Sequence, residues 1–104
     1  MMLPVCPNSY GNVEFELEET LGATTVYIVY MPAKLVLDAT KLNAWLNEFP
    51  REDLAKLANN VYLGLTEELK PMFLTVQVVR GGFKANKPPI YSPSYDPACF
   101  GVKG

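Results

Sequence analysis

The chain has 104 residues, 49% hydrophobic and 19% charged, with a formal net charge of -2. That length makes one domain with one core, and the acidic balance excludes the clustered basic face that nucleic-acid phosphates need. There is no histidine, and the two cysteines, Cys6 and Cys99, stand near opposite ends. This excludes Ser–His and Cys–His catalysis, leaves no imidazole for a catalytic zinc, and gives no disulfide framework.

Residues 1–11 read as an irregular lead punctuated by Pro4, Pro7 and Gly11. From Asn12 to Leu21 the chain alternates, with Val13, Phe15 and Leu17 on one face and Glu14, Glu16 and Glu18 on the other, the period of a half-exposed strand. Gly22 suits a tight turn. Thr24 to Met31 is β-branched, aromatic and apolar on both faces, which predicts a buried strand. Pro32 stops it, and a short extended link leads to Asp38. Asp38 or Thr40 can cap a helix whose apolar stripe is Leu42, Trp45, Leu46 and Phe49, closed by Pro50. A second helix is expected from about Arg51-Glu52-Asp53, with the stripe Leu54, Leu57, Ala58, Val61 and Leu65, broken at Pro71. Met72 to Val79 reads as a third strand, Gly81-Gly82 as a turn, and Phe83 to Lys87 as a weak fourth strand. The tail, 88–104, is rich in proline and is expected to lie extended on a neighbour.

The order strand, strand, helix, helix, strand, strand defines an α+β domain: an antiparallel sheet with two helices on one face. Its outer strands leave open edges that invite another chain, so a homo-oligomer is expected. The apolar composition fits either buried oligomer surface or a well-filled core. The longest apolar stretch, Val26 to Met31, is far too short to span a bilayer. A soluble, cytoplasmic protein without a membrane partner is expected.

Four stretches resemble the tunnelling-fold superfamily and, within it, the NADPH-dependent nitrile reductases of queuosine biosynthesis, which act on 7-cyano-7-deazaguanine. They are Tyr27-Ile28-Val29-Tyr30-Met31-Pro32, Asp38-Ala39-Thr40-Lys41-Leu42-Asn43-Ala44-Trp45-Leu46, Arg80-Gly81-Gly82 and Cys6-Pro7-Asn8-Ser9, and together they run from Cys6 to Gly82. The resemblance implies a ββααββ tunnelling fold assembled into an oligomeric barrel, with a deazapurine bound between subunits. It implies Cys6 as the nucleophile that forms a thioimide with the nitrile, Glu14 as the acid, Glu52 with neighbouring Arg51 at the base, and Asp38, Arg80, Gly81 and Gly82 at NADPH. No metal is implied. The chain departs from the family in several places. Cys6 precedes the first predicted strand, whereas the family's cysteine lies between its first two strands. Arg51 stands where the family has histidine, Asp38 is shorter than the family's Glu, and Thr40 and Asn43 replace lysines.

Each of these residues also has a plainer reading. Cys6 is an ordinary thiol near a terminus, Glu14 one of a solvated row, Glu52 a favourable charge in a helix's first turn, Asp38 a cap and Arg80 a hairpin residue. Three functions are therefore open: a deazapurine nitrile reductase, a binding protein that keeps the pocket without the chemistry, and a structural oligomer.

Overall fold

The expected elements form, and two more join them. A computed structural model describes residues 2–11 and 13–91, with side chains through Lys87. The elements are β1 (Val5–Pro7), β2 (Phe15–Leu21), β3 (Thr24–Met31), β4 (Leu35–Leu37), α1 (Ala39–Leu46), α2 (Leu54–Glu68), β5 (Phe73–Arg80) and β6 (Phe83–Tyr91). The protein is α+β. Its main sheet is antiparallel with strand order β2-β3-β5-β6, so the helical pair connects the two central strands.

Alternation decides which side of the sheet the helices cover. Val26, Ile28 and Tyr30 of β3 and Leu74, Val76 and Val78 of β5 are buried beneath α1 and α2, where they meet Leu42, Leu46, Leu57, Val61 and Leu65. Among the described residues no helix covers the other face, so β3 is buried on one side only, and its Tyr27 is 36% exposed. The two helices pack closely at one point. A Cβ on Gly64 of α2 would stand 2.9 Å from the Trp45 ring of α1, so glycine here allows the contact.

Asp38 caps α1, its carboxylate accepting from the Thr40 N–H at 3.1 Å and the Thr40 hydroxyl at 2.6 Å. The helix ends at Leu46, before the expected stop at Pro50, and the chain tightens through Glu48 N–H to Trp45 O and Phe49 N–H to Leu46 O. Asp53 caps α2, accepting from Ala55 and Lys56. Glu52 therefore stands outside the first turn. After α2, Lys70 takes a φ of 50°, a left-handed cap position that glycine usually holds, and Pro71 prevents the helix from continuing.

Three further boundaries differ from the sequence reading. Residues 5–7 and 35–37, read as irregular lead and as link, pair as β1 and β4, with Cys6 opposite Val36. The strand expected from Asn12 begins at Phe15, because Asn8 holds a turn over Gly11: its amide donates to the Gly11 carbonyl and its Oδ1 accepts from the Tyr10 N–H. Finally, β6 runs past Pro88 to Tyr91. Its pairing with β5 jumps from Val76↔Lys87 to Leu74↔Ile90, a bulge that takes up both prolines on an edge strand, where a missing N–H costs no ladder bond. The rest of the tail, with Cys99 and its expected course over a neighbour, lies outside the described residues.

Candidate functional site

The residues singled out in the sequence divide between the two ends of the sheet. Thr24 pairs with Arg80 at one end and Met31 with Phe73 at the other. With about 3.3 Å per strand residue, Thr24 and Tyr30 are roughly 20 Å apart.

At the Met31 end, a cleft of about 430 Å³ lies between the β1–β4 pair, the start of β2 and the start of α1. Its lining includes Cys6, Ser9, Asp38 and an aromatic row, Tyr10, Phe15 and Tyr30. Phe15 stacks on Tyr30 with ring centroids 5.5 Å apart, and Tyr10 meets Phe15 edge-on at 5.5 Å. The Tyr30 hydroxyl accepts the buried Leu37 N–H at 3.0 Å, which ties β4 to the sheet. Burial pushes the pKa of this hydroxyl up; the Leu37 bond works against that shift and Tyr10 adds to it. Cys6 is an exposed free thiol. The Asp38 carboxyl is held below its usual range, first by the Thr40 hydroxyl. Glu14 is exposed, just before β2, and is not part of this lining.

At the Arg80 end, an open cleft of about 580 Å³ lies between the start of α2 and the β5–β6 hairpin, lined by Glu52, Asp53, Arg80, Phe83 and Lys84 among others. Arg80 is engaged in the fold here. Its Nε donates to the hydroxyl of buried Thr24 at 2.8 Å, and a terminal nitrogen donates to the Arg51 carbonyl. One guanidinium thus joins β5, β3 and the α1–α2 connection, which limits its freedom to follow a ligand. Arg51 turns away, donating to Asn47 at 2.9 Å. Gly81, with a φ of 59°, and Gly82 make the two-residue turn between paired Arg80 and Phe83. Glu52 is exposed and plays no part in the cap.

The structure therefore brings Cys6 to Asp38 and Glu52 to Arg80, but neither pair to the other. The four residues assigned to NADPH are divided in the same way, with Asp38 at one end and Arg80-Gly81-Gly82 at the other. A single chain offers that cofactor no common cradle among them. The sequence reading missed Tyr10, Tyr30 and Phe83. For Phe83 a signal was present: an aromatic directly after a Gly-Gly turn, where the hairpin leaves the helix layer.

Among the described residues there is no cluster of three or more Cys, Asp or Glu side chains able to hold a metal, and no helix is long and apolar enough to cross a membrane. No protein-family model matches the chain, and no curated protein matches it.

Proposed function

We propose that this is a tunnelling-fold protein that recognises 7-deazaguanine or a related purine through Glu52. The observation that carries the reading is the exposed Glu52 carboxylate, left over from helix capping and set on the rim of a cleft. A free carboxylate can accept two parallel N–H bonds from a guanine-like edge. Four antiparallel strands with two helices between the central pair, all on one face, support the fold assignment.

The sheet's two open edges support the proposed assembly into a barrel. The edge strand β2 carries Glu16, Glu18 and Glu19, and the opposite edge, β6, carries Lys84 and Lys87. The two strands run in opposite directions, so β2 of one copy can extend the antiparallel ladder beside β6 of the next, with Glu16 and Glu18 on the same uncovered face as Lys84. Sedimentation at micromolar concentration tests this, and a monomer would remove the barrel.

Reductase chemistry is the second reading, favoured by the free thiol of Cys6 in a cleft with Asp38. In that reading the thiol adds across the nitrile to give a thioimide, with NADPH as the reductant. The separation of Cys6 from Glu52 weighs against it. Edge-to-edge closure keeps the two clefts on opposite rims of a ring. A closed stack of two rings sets like rims together, so Cys6 of one copy does not meet Glu52 of another by either route. We therefore favour binding without Cys6 chemistry.

Calorimetry with 7-cyano-7-deazaguanine tests recognition. Glu52→Gln should weaken binding by about tenfold or more at unchanged thermal stability, and wild-type affinity in that variant would sink the reading. Intact mass after incubation tests the chemistry. An adduct present in the wild type and absent from Cys6→Ala would restore the reductase reading.

A further inference from the structure

The Glu52 cleft contains an aromatic side chain that the fold does not use. Strand parity puts Phe83 on the helix-covered side of the sheet, in register with Arg80 and two residues from Ala85, which packs against the core. Large apolar residues on this side in the central strands are buried, yet Phe83 is 76% exposed. The reason is geometric. α2 begins at Leu54, short of the hairpin tip, so the last rung of the β5–β6 ladder projects beyond the helix layer. The uncovered ring borders the same cleft as Glu52.

We infer that Phe83 is the stacking platform of the Glu52 site and selects planar heteroaromatic ligands. The inference rests on the reading of Glu52 as the base anchor and adds a second requirement to it. An exposed carboxylate alone gives weak discrimination, since any cation or N–H pair can approach it and water competes. A ring beside it supplies a flat apolar face, which a base can cover while its N–H edge turns to the carboxylate. The two groups read different properties of one ligand: Glu52 the donor edge, Phe83 the aromatic plane. The nearby cationic side chains are compatible with such a ligand, because Arg80 is engaged by Thr24 and Arg51 and a neutral base brings no cationic charge against Lys84.

The test is calorimetric titration of the full chain with 7-cyano-7-deazaguanine, comparing wild type, Phe83→Ala, Phe83→Leu, Phe83→Trp and Glu52→Gln, with sedimentation of each variant. Phe83→Ala should weaken binding roughly 5- to 150-fold, the range for loss of one base–aromatic stack. Phe83→Leu should lose nearly as much, because an aliphatic side chain keeps the apolar area but not the plane. Phe83→Trp should bind at least as tightly as wild type. If Glu52→Gln loses affinity while Phe83→Ala keeps it, the stacking role is overturned and the Glu52 reading survives. If neither variant changes the affinity of a ligand that does bind, or if the wild type does not bind, both fail at this cleft. If Phe83→Leu binds like wild type, or Phe83→Ala changes the sedimented mass and leaves affinity intact, Phe83 is a packing residue and the inference is overturned. Should Phe83→Ala fail to fold, the contrast between Leu and Trp still decides.

Discussion

The Cys6 end and the Arg80 end of the sheet solve the same problem by different means. At each end a connecting segment has to be fixed to the central strands. At the Arg80 end a charged fork bridges the hydroxyl of Thr24 and the carbonyl of Arg51. At the Cys6 end a neutral phenol, Tyr30, accepts one buried N–H from Leu37. In each cleft the group that fixes the backbone is thereby distinguished from the groups left exposed: Arg80 from Glu52 and Phe83, Tyr30 from Cys6. Proximity to a cleft does not make a residue a ligand contact, and the bonds it already makes decide what it can still do.

Substitution can break the comparison at either end. Arg80→Ala should cost the most, about 2–3 kcal/mol in urea unfolding, since it strips a charged donor from a buried hydroxyl and a carbonyl. Tyr30→Phe should cost about 1–2 kcal/mol by leaving the Leu37 N–H buried and unpaired. If Tyr30→Phe costs more than Arg80→Ala, the ranking of charged fork over neutral phenol fails. The helix caps form a matched pair: Asp53→Ala should cost about 1 kcal/mol, and Asp38→Ala should destabilise in the same direction. The smallest effects belong to the exposed groups. Cys6→Ala and Glu52→Ala should each change stability by less than about 0.5 kcal/mol, and a larger loss from Glu52→Ala would return it to the fold.

pH sharpens the same contrast. The folded-state pKa of Tyr30 is raised above 10.0, so the unfolded chain ionises first. The stability tied to the neutral phenol is complete below that value and is lost as pH climbs through the raised folded-state pKa. Tyr30→Phe should flatten this alkaline limb of the unfolding curve. Asp38 has the opposite sign. Its folded pKa lies below 3.8, so its contribution is present above that value and disappears as pH falls through the lowered one. Asp38→Asn should remove that small acid-limb dependence.

How much of this was legible in the sequence follows from range. β3 and β5 are eight-residue runs rich in apolar and β-branched residues, and both helices carry their periods over eight or more residues. Their turns carry Gly22, Pro50, Pro71 and Gly81-Gly82, so local pattern suffices to place them, though not to show that β3 is covered on one side only. β1 and β4 are three residues each and pair across a long separation. Three residues show no period, and the pairing depends on the whole domain having folded. Pro88 argued against a strand, and only a bulge at an edge lets one continue. Among the site residues, the separation of Cys6 from Glu52 could not be read locally, because it depends on which strand end each connection leaves. Phe83 was visible as a residue, but its exposure follows from where α2 starts relative to the hairpin.

The close approach of Gly64 to Trp45 gives the protein a built-in optical gauge. Trp45 is the only tryptophan in the chain, and it is held between Gly64 and the edge-on ring of Phe49, 4.8 Å away. It lines neither cleft. Its emission therefore reports the seam between the helices without a label. A ligand bound at either end should leave the colour of that emission unchanged unless the helices part. Gly64→Ala, which forces a methyl into the indole, should shift it toward the red while costing about 1–3 kcal/mol.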